Sequence, residues 1–235
     1  MQTQSFEIPL SHTGEEVKKR IEICVAEQIP VLLTGGTGLG KTYFLSRLAR
    51  QHNQHLTKIN QVGSSADMVL GMLVATNFTT RWQDGLLTDK VRHGGWLSVE
   101  EIARLDQEIQ GRMFSLLDTD DPVLSLVEMG ENLTPHPDFR FFATTNEGSE
   151  YFVRGIDKAL RDRFFVQEWG LDFWNLDVLD DQVGVGKSNG NKLRQMLSQG
   201  VVTLRKVVIA IHLIQKGLEP RQAWTICGIN AAMEA

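Results

Sequence analysis

GGTGLGKT, residues Gly35 to Thr42, is the most informative segment of this 235-residue chain. It fits the pattern G-x-x-x-x-G-K-[ST] and lies between a short apolar run at 31–33, typical of a buried strand, and a helical pattern that begins near Phe44. Glycines let successive backbone N–H groups point at a phosphate, and the N-terminus of the following helix adds partial positive charge. The segment therefore predicts a nucleotide-binding site in an α/β protein.

Each residue of this phosphate-binding loop, the P-loop, has an expected role. We expect Lys41 to neutralise β- and γ-phosphate oxygens and the Thr42 hydroxyl to be a ligand of Mg²⁺. The backbone of the preceding residues would surround the phosphates: Gly35, Gly36, Thr37, Gly38, Leu39 and Gly40. The alternative is a glycine-rich turn ahead of an ordinary helix, and the flanking strand and helix make that the weaker interpretation.

The rest of the chain alternates apolar strand patterns with helical ones. Further strands are predicted at 56–60, 96–99, 139–145 and 164–169, and a helical repeat runs from Ile102 to Met113. This alternation predicts a three-layer α/β sandwich with a mostly parallel central sheet. A polar, glycine-bearing segment at 177–190 precedes a helical tail. We therefore expect a nucleotide-binding domain at 1–174 and a small all-helical subdomain at 175–235.

Two adjacent glutamates follow the third predicted strand. A P-loop hydrolase needs one acidic group for the hydrated Mg²⁺ and another to orient the attacking water. We expect Glu100 to hold the metal and Glu101 to be the general base. Aspartate is usual at the metal position, and the extra methylene of Glu100 moves its carboxylate outward by about 1.5 Å, which predicts slow turnover. Alternatively, both glutamates cap the next helix, since acidic residues favour a first turn.

Polar residues also follow the fourth and precede the fifth predicted strand. Asn146 could hold the attacking water or the γ-phosphate, although an asparagine before a glycine is also common in turns. Arg161 and Arg163 end a short helix just before the fifth strand. They are either solvated surface groups or candidates for an arginine finger that reaches the γ-phosphate of a neighbouring subunit.

The ordered set GGTGLGKT, WLSVEE, FFATTN and ALRDRF resembles the AAA+ ATPases, and among them the MoxR-type group. Two more segments are similar to the CbbQ/NorQ family: the W-x-D-G-x-L motif that begins at Trp82, and a β-hairpin between 116 and 131. The stretch from Gly200 to Arg205 resembles the lid of that family, with Thr203-Leu204-Arg205 where the family has S-T-R.

The resemblance implies a P-loop ATPase with ATP and Mg²⁺ as cofactors and the helical tail as a lid. It implies catalytic roles for Glu101 and Asn146, for Arg163 in trans, and for Arg205 as the second sensor arginine. It also implies a homohexamer that works with a von Willebrand A domain partner to remodel or activate a protein client. We favour Arg163 over Arg161 because it directly precedes the phenylalanine, as in the family.

Composition limits the other readings. The formal net charge is −5, which argues against broad electrostatic attraction to nucleic acid or anionic membranes and leaves only a local basic patch open, so we expect neither as a partner. The first residues do not resemble a signal peptide, so we expect a cytoplasmic protein. Two alternatives stay open. One is a DNA-dependent AAA+ motor with a base-stacking surface at Trp82, Trp96, Phe141 and Phe142, and the other is a nucleotide-gated scaffold that hydrolyses weakly.

Overall fold

Strands and helices alternate along the chain as the sequence predicts. A computed structural model of the protein describes residues 8–60, 65–75, 78–146, 156–178 and 193–229. Short 3₁₀ turns lie at Ile102–Arg104 and Leu171–Phe173. In chain order the other elements are α1 (His12–Ala26), β1 (Val31–Thr34), α2 (Lys41–Gln51), β2 (Leu56–Ile59), α3 (Ala66–Val69), β3 (Gly71–Ala75), β4 (Thr80–Asp84), α4 (Leu86–His93), β5 (Gly95–Val99), α5 (Gln107–Leu116), β6 (Leu124–Leu126), β7 (Glu131–Leu133), β8 (Phe139–Thr144), α6 (Lys158–Arg161), β9 (Phe165–Glu168), α7 (193–198), α8 (Leu204–Gln215) and α9 (Pro220–Ile226).

A five-stranded sheet forms the centre of the α/β part, with the strand order β2-β5-β8-β1-β9. Each neighbouring pair is parallel. Strand β1 is apolar up to its last residue, Thr34, and fully buried, which is typical of a parallel strand covered by helices on both faces. The parallel sheet and the helices confirm the predicted fold class.

The aromatic residues of the strands belong to the core. Trp96, Phe141 and Phe142 are at most 4% exposed, and the rings of Trp96 and Phe142 lie 5.1 Å apart. Trp82 is partly buried, packs against the core and donates from its indole Nε1 to Asp84. The three buried rings lie inside the protein, where they cannot stack on bases. The hypothesis of a base-stacking surface at these residues is therefore not supported.

Two antiparallel hairpins form separate two-stranded sheets, one of β3 and β4 and one of β6 and β7. The second, from Leu124 to Leu133, overlaps the stretch 116–131 in which the resemblance to the CbbQ/NorQ family places a hairpin, and β7 continues two residues past it. The first was not predicted as strands, because most of its residues are exposed on both faces and the sequence shows no alternation of apolar and polar residues.

An ion-pair network connects the two hairpins to α4. Arg92 donates from Nε to Asp84 at 2.9 Å and from both Nη atoms to Glu131, at 2.8 and 3.0 Å. Asp84 also accepts a bond of 2.7 Å from the Trp82 indole. Hydrogen bonding from Arg92 lowers the pKa of Glu131, while Glu131 and Asp84 together raise the pKa of Arg92. The W-x-D motif therefore holds the first hairpin, and Arg92 joins it to the second.

The helical repeat from Ile102 to Met113 is interrupted in the structure. A 3₁₀ turn ends at Arg104, Leu105 and the next residue are extended, and α5 begins only at Gln107. Ile102, Leu105 and Met113 are nevertheless all buried. The turn and the helix bury the same apolar series, so periodicity alone could not reveal the break between them.

The chain divides into two compact units. One comprises Ile21–Gly35 and Lys41–Glu168, and it contains the central sheet and both hairpins. The other comprises Met1–Arg20, Gly36–Gly40 and Trp169–Ala235. Within this second unit the described C-terminal residues are helical, as predicted, and α8 packs against α9. The polar segment at 177–190 extends beyond the described residues from 179 onward.

Within the described ranges, no helix combines the length and the apolar character that crossing a membrane requires.

Replacing Asp84 by alanine tests the hairpin network. The change removes bonds from an indole and from a guanidinium, and hydrogen bonds to charged groups contribute about 1.5–3 kcal/mol each, so we expect the free energy of unfolding to fall by about 2 kcal/mol. Urea denaturation measures it. Asp121→Ala, at an exposed aspartate, should change it by less than about 0.5 kcal/mol. Equal losses in the two variants would contradict the role of the network.

Candidate nucleotide-binding site

The candidate site lies where strands β1, β5 and β8 end. These strands are parallel neighbours, so their carboxyl ends meet at one edge of the sheet. Val99 pairs with Ala143, which makes Glu100 and Thr144 the next residues along their two strands. Lys41 and Thr42 begin α2 after the loop that follows β1. Chain direction and register therefore collect the polar residues that the sequence singled out.

A chain of hydrogen bonds joins the P-loop lysine to the second glutamate through Asn146. Lys41 is buried, and its Nζ donates to the Gly35 carbonyl at 2.9 Å and to Asn146 Oδ1 at 2.8 Å. The amide Nδ2 of Asn146 donates to Glu101 Oε1. Because the amide has a donor and an acceptor on opposite corners, it accepts from a cation and donates to a carboxylate at once. Asn146 thus has a specific partner on each side, which a plain turn residue would not need.

The first glutamate faces the P-loop threonine. Thr42 Oγ1 donates to Glu100 Oε2, and the same carboxylate accepts hydrogen bonds from two further hydroxyls, Ser98 Oγ at 2.9 Å and Thr144 Oγ1 at 3.0 Å. Mg²⁺ prefers hard oxygen ligands and usually binds one or two protein groups together with water and phosphate oxygens. A threonine hydroxyl in contact with a carboxylate fits that requirement.

Glu101 has an unusual backbone conformation. Its φ of 56° and ψ of 49° fall in the left-handed region, which costs a non-glycine residue roughly 1–2 kcal/mol. Its N–H donates to Thr144 Oγ1 at 3.2 Å. Since α5 begins only at Gln107 and Glu101 makes no side-chain cap bond, helix capping does not explain the pair of glutamates. Strained backbone of this kind clusters at functional sites.

The apex of the P-loop belongs to the other unit and packs closely there. Gly38 and Gly40 have positive φ angles, and a Cβ at Gly38 would lie 2.7 Å from Thr203 Cγ2. The Leu204 N–H donates to the Gly38 carbonyl at 3.2 Å, and the Trp174 indole donates to the Leu39 carbonyl at 2.8 Å. These bonds use carbonyl oxygens, whereas phosphate binding uses N–H groups, so the two functions do not compete.

Arg163 and Arg205 are the two arginines to which the resemblance gives catalytic roles. Arg163 is bound within its own chain: its guanidinium lies 5.3 Å above the Phe114 ring, 3.7 Å from the Asp118 carboxylate, and Nη1 donates to the Ala159 carbonyl at 2.8 Å. Arg205 is exposed in the first turn of α8. The structure therefore brings together Lys41, Thr42, Glu100, Glu101 and Asn146, and it does not bring Arg163 to them.

Sequence reasoning missed two members of the cluster, Ser98 and Thr144. Each is a hydroxyl residue in a buried strand, at 0% and 3% exposure. A polar side chain among apolar ones in a buried strand was the available signal, because a buried hydroxyl needs a partner. Ser98 donates to Glu100, two residues further along its own strand, whereas Thr144 reaches Glu100 from the neighbouring strand β8, a pairing that the sequence does not specify.

The chain belongs to the AAA domain family, dynein-related subfamily, whose family model matches residues 30–164. It is a MoxR-type AAA+ protein, an ATP-binding NTPase, as its similarity to curated relatives indicates. It is 28% identical to protein CbbQ of Hydrogenophilus thermoluteolus over 88% of this chain and 82% of CbbQ. It is 29% identical to protein NorQ of Paracoccus denitrificans over 94% of this chain and 84% of NorQ.

Solved structures share the fold at lower sequence similarity. NtrX of Brucella abortus, whose structure was solved in complex with ATP, has a TM-score of 0.61 and 17% identity. The match covers 93% of this chain but 55% of the NtrX chain, so this chain spans about half of NtrX. The likeness therefore concerns the fold.

Replacing Lys41 by alanine tests the P-loop assignment. Removing a buried cation that faces phosphate oxygens should weaken ATP binding at least about tenfold, since charge-assisted hydrogen bonds are the stronger class. Isothermal titration calorimetry with ATP measures the affinity. Lys58→Ala removes an exposed lysine of β2 and should leave the affinity unchanged. Unaltered ATP affinity in Lys41→Ala would show that the nucleotide binds elsewhere.

Proposed function

We propose that this protein hydrolyses ATP at the cluster formed by Lys41, Thr42, Glu100, Glu101 and Asn146. The observation that carries the proposal is the hydrogen-bonded series from Lys41 through Asn146 to Glu101. It joins a phosphate-binding cation, a polar side chain and a carboxylate, which are the parts that P-loop hydrolysis requires. Glu101 is the general base, and Asn146 orients the attacking water or the γ-phosphate.

Mg²⁺ would bind between Thr42 and Glu100 and would neutralise charge on the phosphates. The protein residues supply the rest. The P-loop amides bind the phosphates, and Lys41 pairs with the γ-phosphate. Phosphate oxygens compete with Asn146 for Lys41, so ATP binding weakens the bond of 2.8 Å between Lys41 and Asn146. Asn146, still bonded to Glu101, then becomes available to a water molecule beside the base.

Arg163 acts on the site of a neighbouring subunit in this proposal. Its present partners within the chain are the Ala159 carbonyl, which accepts from Nη1 at 2.8 Å, a carboxylate 3.7 Å away and the face of a ring. The last two hold a guanidinium weakly at a partly exposed position. Among the described residues its buried Nε has no hydrogen-bond partner. An unsatisfied buried donor costs about 1–3 kcal/mol, which favours release of Arg163 to a phosphate oxygen.

The assembly and the cellular role are proposed from the similarity of this chain to its relatives. The protein assembles as a homohexamer, with Arg205 as the second sensor arginine and ATP at the subunit interfaces. Together with a partner that carries a von Willebrand A domain, it remodels or activates a protein client. Similarity over most of the length to CbbQ, NorQ and the denitrification regulatory protein NirQ of Pseudomonas aeruginosa supports this proposal.

Glu101→Gln tests hydrolysis. Loss of a general base lowers turnover by about 10² to 10⁴, so we expect steady-state phosphate release to fall by at least about 10² while ATP binding remains. Glu108→Gln, at an exposed glutamate of α5, is the matched control and should keep full activity. Added DNA should not change the rate.

Three outcomes would contradict this function. Stimulation of phosphate release by DNA would indicate a DNA-dependent motor. Assembly with ATP on a sizing column, without turnover above that of Glu101→Gln, would indicate a nucleotide-gated scaffold. Equal activity of Glu101→Gln and the unmodified protein would exclude Glu101 as the base.

Mixing two inactive variants tests the trans role of Arg163. An Arg163→Ala subunit keeps its base, and a Glu101→Gln subunit keeps its arginine. In a random equal mixture about one interface in four combines the two intact residues, so phosphate release should partly recover. Arg161→Ala in place of Arg163→Ala should be active without mixing. Failure to recover at every mixing ratio would argue against a residue that acts across the interface.

A further inference from the structure

A buried serine, Ser98, lies next to Glu100, the glutamate that is proposed to hold Mg²⁺. Ser98 is in β5, where its apolar neighbours Leu97 and Val99 are also fully buried. Residues two apart in a strand point to the same face, so Ser98 and Glu100 share one. The Ser98 hydroxyl donates to Glu100 Oε1 at 2.9 Å. A residue that could be apolar for packing therefore contributes a donor to this carboxylate.

A second buried hydroxyl reaches the other carboxylate oxygen from the neighbouring strand. Thr144 ends β8, and its Oγ1 donates to Glu100 Oε2 at 3.0 Å and accepts the Glu101 N–H at 3.2 Å. Thr42 also donates to Glu100 Oε2. The two oxygens of Glu100 are thus fixed from separate strands, while one of them stays in contact with the P-loop hydroxyl.

We propose that Ser98 and Thr144 are positioning residues that adapt a glutamate to a metal position that aspartate usually fills. This inference rests on the proposed function. Glutamate has one more rotatable bond than aspartate, so its carboxylate is harder to hold in one orientation. Hydrogen bonds to an ionised carboxylate are short and strong. The donors at 98 and 144 therefore restrict rotation about the additional single bond of the Glu100 side chain.

The alternative is that Ser98 and Thr144 bond to Glu100 only because buried hydroxyls need a hydrogen-bond partner. The positioning role differs from this alternative because it depends on the length of the side chain at position 100. An aspartate would withdraw the carboxylate by about 1.5 Å, so it could not reach Ser98 and Thr42 at once. The serine hydroxyl should therefore matter for metal binding only when residue 100 is glutamate. A packing role would be independent of that length.

A double-mutant cycle measures this dependence. The variants are Ser98→Ala, Glu100→Asp and the double variant. Mg²⁺ should increase the affinity of the protein for a fluorescent ADP analogue. The quantity measured is the Mg²⁺ concentration at which half of that increase is reached. Ser98→Ala should raise that concentration about tenfold when Glu100 is present and less than about twofold beside Glu100→Asp. Affinity for the same analogue in EDTA should be unchanged in Ser98→Ala.

Thr144 provides a second variant pair. Thr144→Val removes the hydroxyl and should raise the required Mg²⁺ about tenfold or more, whereas Thr144→Ser retains it and should restore the unmodified value within about twofold. Thr88→Val is the matched control, because Thr88 is fully buried and donates instead to the Leu70 carbonyl. It should alter stability without changing the Mg²⁺ requirement.

The possible results distinguish a positioning role of Ser98 and Thr144 from a packing role. An equal change from Ser98→Ala in both backgrounds would overturn the positioning role, as would an unchanged Mg²⁺ requirement in Ser98→Ala or failure of Thr144→Ser to restore binding. If the unmodified protein binds the analogue with no dependence on Mg²⁺, the proposed function itself fails, and this inference fails with it.

Discussion

Parallel pairing of β1, β8 and β5 is the constraint on which the site depends. Strand β8 lies between the other two, and all three run in the same direction, so a side chain that follows β8 has the P-loop helix on one side and the glutamates on the other. Asn146 occupies that place and bonds to both Lys41 and Glu101. The link from Lys41 through Asn146 to Glu101, which lie about 60 residues apart in sequence, thus needs only the order of three strands.

Much of this arrangement was predictable because short motifs carry its chemistry. The P-loop, the glutamate pair and Asn146 each directly follow a strand, and apolar runs mark the strands well. Other features leave weaker signals. The hairpin of β3 and β4 is exposed on both faces and lacks alternation, and the extended backbone at Leu105 interrupts a repeat without changing which residues are buried. Partners across strands, such as Glu100 for Thr144, depend on register, which a single sequence does not specify.

Arg163 illustrates a different kind of limit. The motif places it correctly at a helix end before β9, but its conformation depends on which atoms compete for the guanidinium. Within one chain those are the Ala159 carbonyl, the Phe114 ring and the Asp118 carboxylate. A phosphate oxygen offers a more strongly charged partner. On the proposal that Arg163 acts in trans, its partners within the chain and a phosphate oxygen of a neighbouring subunit compete for the same guanidinium.

The left-handed backbone at Glu101 has a consequence for engineering. Glycine adopts that conformation without penalty, so folding alone would prefer a residue that has no side chain there. A laboratory evolution campaign that selects only for heat resistance would enrich glycine at this position and lose the carboxylate without any warning from the stability assay. With Glu101 in its proposed role as general base, activity has to be selected alongside heat resistance, because the two properties then favour different amino acids.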